Sequence, residues 1–466
     1  MAMLGFESTA EFFVYLTFIF FGMSVMNVTN AIYSIPDYFS VYYQFVKNDE
    51  KAKPVNASFW EHMFTYYNVV VFTMQVVLEA FMLTPLGRRI PISWRLIFGL
   101  TIPMGEIIAI LVIPEVGGSE AGAMATVMIV AFVGGISKTL CDSSNAALAG
   151  PFPTKFYGAI VWGLAVSGLI TSFMSVVIKA AMEYSFKSRR VQSQIYFGLV
   201  MLLQVVACVL LVLLRKNPYA IKYAAEFRYA ARKDGKTDDG EDENDAKGTG
   251  PADEDGYPDE KENKNVLNAD IDPDKMKDTD QVEGTTNAQQ MLDASVMVVV
   301  KRIWPMLLSC FFVFFATLLI FPGVFFAVKD KTTVKNFWYY TIIVAMFNLG
   351  DFLSRLVLQF KRLHVSPRMV MIGSFARALL IIPLALCVPG TIPGVWLPYT
   401  VSLLWGLTNG YFGGLSMIYG PRTGSLTTAG QRSLAAICIN VALLLGLFAG
   451  AMFALAVKEG LPKEKK

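Results

Sequence analysis

Apolar residues along this chain collect into eleven long runs, near 11–33, 63–84, 95–114, 123–148, 157–178, 194–214, 303–327, 337–360, 369–388, 397–419 and 433–456. An α-helix rises 1.5 Å per residue, so about 20 apolar residues cross the roughly 30 Å of hydrocarbon in a bilayer. In lipid every backbone N–H and C=O must be paired within its own segment, which makes each run a predicted helix. One long polar stretch divides the runs into six and five. The expected fold is all-α: a polytopic membrane protein of 11 transmembrane helices. A six-helix bundle is expected over 1–214, a linker over 215–301 and a five-helix bundle over 302–466. The first run has no basic leader and is too long for a cleaved signal peptide, so it reads as a retained span.

Composition agrees with that pattern. Hydrophobic residues make up 54% and charged residues 17%, where a soluble globular chain carries about 25% charged residues. Cys141, Cys208, Cys310, Cys387 and Cys438 all fall inside the runs and show neither zinc-site nor disulfide spacing, so they read as small buried hydrophobes. The net charge of +3 conceals an asymmetry. Asp234 to Asp293 holds 20 acidic residues against 6 lysines, and the remainder holds 34 basic against 17 acidic. That linker is too charged and too poor in apolar residues to fold alone, and it reads as a disordered, solvated tether. Asp270, Asp272 and Asp274 resemble the start of a calcium loop. Lys275 replaces its glycine and Gln281 its bidentate glutamate, which argues against metal. No metal site is expected.

The short loops on the two sides carry equal numbers of basic residues. The linker's flanks, with Arg215, Lys216, Lys222, Arg228, Lys301 and Arg302 close to span ends, place that side in the cytoplasm. Asn56-Ala57-Ser58 forms a glycosylation sequon in the first loop on the opposite side, so Asn56 is a glycosylation candidate. The N-terminus and linker are therefore expected to be cytoplasmic and the C-terminus extracellular.

Polar groups inside the spans are costly and tend to mark function or paired structural contacts. Asp351 and Arg355 lie four apart on one face of the eighth span. They read equally as a self-neutralising ion pair and as a pair that bonds a substrate or forms a gate. The fourth span gathers Lys138, Asp142, Ser143, Ser144 and Asn145. A Lys138–Asp142 pair is the structural reading; a carboxylate that accepts a ligand hydrogen bond or a proton is the functional one. Asn27, Thr29 and Asn30 share the first span with Phe20 and Phe21. Amides beside aromatic rings suit a flat, hydrogen-bonding ligand, and they equally serve interhelical hydrogen bonding. Glu79 and Glu106 are lone carboxylates, each either a proton-coupling candidate or, the favoured reading, tied to a neighbouring helix, and Arg377 needs a partner.

The chain has no glycine-rich phosphate loop, only two histidines (His62 and His364) and no nucleophile–base set. An enzyme is disfavoured, and no cofactor or nucleic-acid partner is expected. A secondary transporter, with bent helices around a central polar site, fits the pattern. A non-transporting membrane receptor, with the linker as its output, is the alternative of a different class.

Several segments resemble the equilibrative nucleoside transporter family, and within it the purine nucleoside (adenosine) transporter branch of kinetoplastids. They are Phe347-Asn348 with Asp351 and Arg355, Phe321-Pro322-Gly323, Asn409-Gly410-Tyr411, and Tyr419-Gly420-Pro421-Arg422. Met3-Leu4-Gly5-Phe6 and Phe20-Phe21-Gly22-Met23-Ser24 are similar to the kinetoplastid branch. The resemblance implies a major-facilitator-like bundle, monomeric, with one helix fewer, that works by alternating access at the plasma membrane. It places nucleoside binding at Asn30, Asp142, Asp351 and Arg355, with Phe21 stacking on the base. Many animal members carry Gln where Asp142 stands; a carboxylate there is a proton-coupling candidate, and protons are the implied co-substrate. The expected substrates are adenosine, inosine or guanosine, with a purine nucleobase transporter of the same branch as the alternative.

Overall fold

The computed structural model describes residues 6, 8–150, 152–183, 185–224, 226–227, 291–321, 324–325, 328, 338–387, 392 and 394–460. Asp234–Gln290, and with it the calcium-loop candidate, lies outside them, as do Met3-Leu4-Gly5 and Pro322-Gly323.

The long helices in chain order are α1 (Thr9–Ser34), α5 (Met63–Leu83), α7 (Ile92–Val116), α8 (Glu120–Ala149), α9 (Thr154–Ala181) and α10 (Phe186–Leu214), then α12 (Val296–Ile320), α13 (Trp338–Val357) and α18 (Ala429–Gly460). Short helices fill the gaps: α2 (Pro36–Phe39), α3 (Tyr42–Lys47), α4 (Ala57–Glu61), α6 (Pro85–Arg88) and α11 (Pro218–Tyr223). Two expected spans are compound. One is α14 (Pro367–Ala376), a 3-10 turn over Arg377–Leu380 and α15 (Ile381–Cys387); the other is α16 (Trp396–Thr408), a π turn over Asn409–Gly413 and α17 (Gly414–Tyr419). Among the described residues ten helices are long and apolar enough to cross a membrane, counting α14–α15 as one; the α16–α17 element is not among them.

The helices begin where polar caps allow. Ser8, Ser119, Ser185 and Ser366 each accept a backbone N–H from the first turn of α1, α8, α10 and α14, as N-cap residues do. Helix α12 starts at Val296, earlier than its apolar run, and Arg302 in its first turns donates to the Ser425 carbonyl at 2.7 Å. Large apolar side chains such as Phe98, Ile129, Phe173, Leu202, Val212 and Ile382 are exposed around the bundle, the surface a lipid-facing protein presents.

Several crossings need glycine. A Cβ on Gly22 would drive into the carbonyl oxygen of Ile160, and one on Gly163 into that of Ile19, so α1 and α9 pack backbone to backbone. Gly350 and Gly406 do the same for α13 and α16, against the carbonyls of Leu403 and Phe347. Such close approach replaces the hydrophobic drive that lipid does not supply. Beyond these crossings, α9 packs on α13 and α18 packs on α5 and α8, so helices before and after the polar stretch meet along two seams.

Candidate functional site

The 3.6-residue period of α8 sets Lys138, Asp142 and Asn145 on one stripe. The Nδ2 of Asn145 donates to the Phe21 carbonyl at 3.1 Å and fixes that stripe against α1. One position round the helix, the Ser143 hydroxyl accepts from Arg95 Nη2 at 2.6 Å. Lys138 and Asp142 do not form the ion pair of the structural reading. Among the described residues neither group has a hydrogen-bonded or ion-paired partner, although each lies within electrostatic reach of the other. The Lys138 ammonium instead sits over the Phe72 ring, 5.8 Å from its centre. A lysine stem spans several carbons, so packing on an aromatic face competes with reaching back one turn to a carboxylate.

Glu106 is tied as expected, accepting from the Ser137 hydroxyl at 2.8 Å. Glu79 is not. It is fully buried and neither carboxylate oxygen has a hydrogen-bond partner. Asp142 and Arg95 lie within electrostatic reach of it.

Helix α13 presents the second polar group. Asp351 and Arg355 pair at 2.9 Å between Oδ2 and Nε, with the Nε–H out of line for a hydrogen bond. The other ends of both side chains are also held. Asn409 Nδ2 donates to Asp351 Oδ1 at 2.8 Å, and Arg355 Nη1 donates to the Val161 carbonyl on α9 at 3.0 Å. Asn409 lies in the π turn, the kind of helix defect often found at functional sites. Its Oδ1 accepts from Thr317 at 2.7 Å and from Arg377 at 3.4 Å. Arg377 finds its partners in oxygens and a ring rather than a carboxylate. It donates to the carbonyls of Val313 (2.7 Å) and Trp405 (3.2 Å), and its guanidinium lies 4.3 Å from the Trp405 ring centre.

Residues of α9 and α12 link the two groups. Tyr157 on α9 lies within electrostatic reach of Asp142 and of Cys310 on α12, and Cys310 within reach of both Asp142 and Arg355. Asn30 sits higher on α1, its Nδ2 donating to Ser167 on α9 at 3.2 Å. Ser167 in turn donates to Asn27 at 3.0 Å, whose own Nδ2 is buried without a partner. Phe21 is fully buried, edge-on to Phe18 at 6.2 Å, and has no open face in this conformation. Asn56 is exposed at the start of α4, with its Oδ1 capping Phe59 N–H at 3.2 Å and its Nδ2 left over.

Sequence reasoning did not single out Thr317, Trp405, Tyr157 or the seam contacts. Along that seam Asn348 donates to Ser172 at 2.8 Å, Lys179 to Thr341 at 3.3 Å, and Gln359 both accepts from Tyr15 (2.9 Å) and donates to the Gly158 carbonyl (3.2 Å). Near the linker flanks Arg422 donates to the Phe152 carbonyl. Burial, with the Arg432 charge adding to it, lowers the Arg422 guanidinium to about 9, so it still carries its charge at neutral pH.

The family model described as "Nucleoside transporter" matches residues 126–459 of this chain. Nucleoside transporter 2 of Leishmania donovani is 43% identical over 480 residues, covering 97% of this chain and 95% of that protein. Adenosine transporter 1 of Crithidia fasciculata is 28% identical over 460 residues, covering 94% and 92%. Among solved structures, the proton:xylose symporter XylE bound to 6-bromo-6-deoxy-D-glucose aligns with a TM-score of 0.60 over 96% of this chain and 89% of that one, at 12% identity. At that identity the likeness is one of fold, and it is the major-facilitator fold.

Proposed function

The chain belongs to the nucleoside transporter family, and from that premise we propose that it takes up purine nucleosides (adenosine, inosine and guanosine) by alternating access. Nucleoside transport and the multi-pass membrane fold come with the family. The purine preference, the coupling ion and the residues in contact with substrate are the further reading. One observation carries it: an unpaired carboxylate, Asp142, lies within electrostatic reach of Cys310, which is itself within reach of Arg355 of the Asp351–Arg355 pair. A nucleoside offers ring nitrogens to one side of such a site and ribose hydroxyls to the other. Asp142 and Asn30 accept from or donate to the base or ribose. Asp351 and Arg355 hold the ribose hydroxyls or the gate around them. The name of the Crithidia relative, an adenosine transporter, supports the purine assignment. Phe21 reaches the base only if the site widens as the helices rock.

Asp142 is also the proton-coupling group in this reading, since a buried carboxylate without a partner is free to exchange a proton as the site opens to either side. The protein lies in the plasma membrane with the linker and N-terminus inside, and Asn56 carries a glycan outside. The test is uptake of radiolabelled adenosine by cells lacking endogenous purine transport, with unlabelled inosine, hypoxanthine and uridine as competitors. Inhibition by inosine, and none by hypoxanthine or uridine, is the expected result. Inhibition by hypoxanthine moves the assignment to nucleobases. In the same cells a protonophore should collapse wild-type accumulation, and Asp142→Asn should leave the residual uptake insensitive to it; equal sensitivity in both would remove Asp142 from proton coupling.

A further inference from the structure

Both ends of the linker are fastened to one short stretch of the first half, the corner between α5 and α7. At the near end the Glu226 carboxylate accepts the Ser93 backbone N–H and lies within electrostatic reach of Arg95 at the start of α7. Phe227 beside it is buried. At the far end Arg88 on α6 donates from Nη1 to two main-chain carbonyls, that of Met291 at 2.7 Å and that of Ala294 at 3.1 Å. Arg88 and Ala294 are buried and Met291 is fully enclosed.

The two fastenings differ in what they join. Glu226 follows α11 and ties the near end to the half it comes from. Ala294 lies two residues before α12, the first helix of the other half, and α12 packs along α18. Arg88 is also within electrostatic reach of Cys438 on α18, so it sits at the seam between the halves. Moving α12 and α18 away from the α5–α7 corner therefore pulls the two carbonyls off Arg88. A charged donor makes stronger hydrogen bonds than a neutral one. Water takes the place of the carbonyls once the seam opens, so these bonds bias the closed state without locking it.

We propose that Arg88 is a latch on the linker side of the bundle: its bonds to the Met291 and Ala294 carbonyls favour closure of that side, and they break when it opens. Arg88 acts here as a positioning residue, through the linker's far end. The proposal rests on the alternating-access reading.

The experiment uses the purified full chain in lipid nanodiscs, which leave both faces open to solution, with one reporter at a time, Ser433→Cys or Ser172→Cys. Ser433 is buried where α18 meets α8, its hydroxyl donating to the Ala147 carbonyl at 2.9 Å. Ser172 is buried toward the opposite end, where it accepts from Asn348. The initial rate of labelling by a charged maleimide, less that of the chain without a reporter, measures opening on each side. Arg88→Gln should raise labelling at position 433 about tenfold, the scale of one charged hydrogen bond, without raising it at position 172. Met291→Ala, which removes the buried side chain of the same segment, should act in the same direction and decides the matter if Arg88→Gln does not elute as a monodisperse species. Unchanged labelling at position 433 in the folded variants overturns the latch, and so does an equal rise at both positions, which is a general loosening. In either case labelling of both reporters in the chain that keeps Arg88 and Met291 leaves alternating access standing. No labelling at either position in any chain overturns both readings together.

Discussion

Asp351 is held from two sides, by Arg355 on its own helix and by Asn409 on the π turn. That arrangement separates charge from shape. Asp351→Asn keeps an oxygen for Asn409 and removes the charge opposite Arg355, whereas Asp351→Ala removes both. On the substrate reading, both variants should reach the cell surface and lose adenosine uptake, measured as initial rate against surface-biotinylated protein. Loss of surface protein in both would return the pair to a purely structural role. Asn409→Ala deletes a buried bond to a charged group, worth about 1.5–3 kcal/mol, and should lower kcat/KM for uptake about tenfold or more while Asp351 stays paired with Arg355. A variant with wild-type kinetics would detach the π turn from the site. The Asp351–Arg355 pair was legible in the sequence because four-residue spacing puts two side chains on one face. The Lys138–Asp142 spacing gave the same signal and no pair, because the lysine has an aromatic face to sit on. Spacing along a helix fixes which side chains face one way; their partners on other helices decide what they bond.

At the scale of elements, the apolar runs marked where helices lie, since hydrocarbon leaves the backbone no other open choice. What they did not mark is where a helix is interrupted. The expected span 369–388 holds a 3-10 turn at Arg377, and 397–419 holds the π turn that carries Asn409. Both breaks sit on polar residues that bond to oxygens of neighbouring helices, contacts that a run of hydropathy does not contain. The glycines in these runs carried a further signal, of close packing. Gly406→Val should displace α16 from α13 at the crossing where Gly406 meets the Phe347 carbonyl. Overpacking of this kind costs about 1–3 kcal/mol, so the thermal midpoint of the detergent-solubilised variant should fall by several degrees. The same substitution at Gly105, which has open space around it, should leave the midpoint nearly unchanged. Equal effects at the two positions would contradict the packing account.

For the whole molecule, polar contacts cross between helices before and after the linker at both ends of the bundle. Lys179–Thr341 and Ser172–Asn348 lie toward one end, and Gly158–Gln359 and Phe152–Arg422 toward the other. Alternating access requires one set to part while the other holds. A disulfide between cysteines placed at Ser172 and Asn348 should therefore stop uptake, and a reductant should restore it; transport at the wild-type rate in the crosslinked form would rule out rocking along this seam. The central claim, that this bundle moves a nucleoside and does not merely bind it, is tested most directly with purified protein in sealed proteoliposomes loaded with unlabelled adenosine. Counterflow of radiolabelled adenosine into the lumen should appear with the wild-type chain and be absent with Asp351→Ala at equal incorporation. Adenosine binding by the wild-type protein with no label ever entering the lumen would contradict the account and identify a receptor instead.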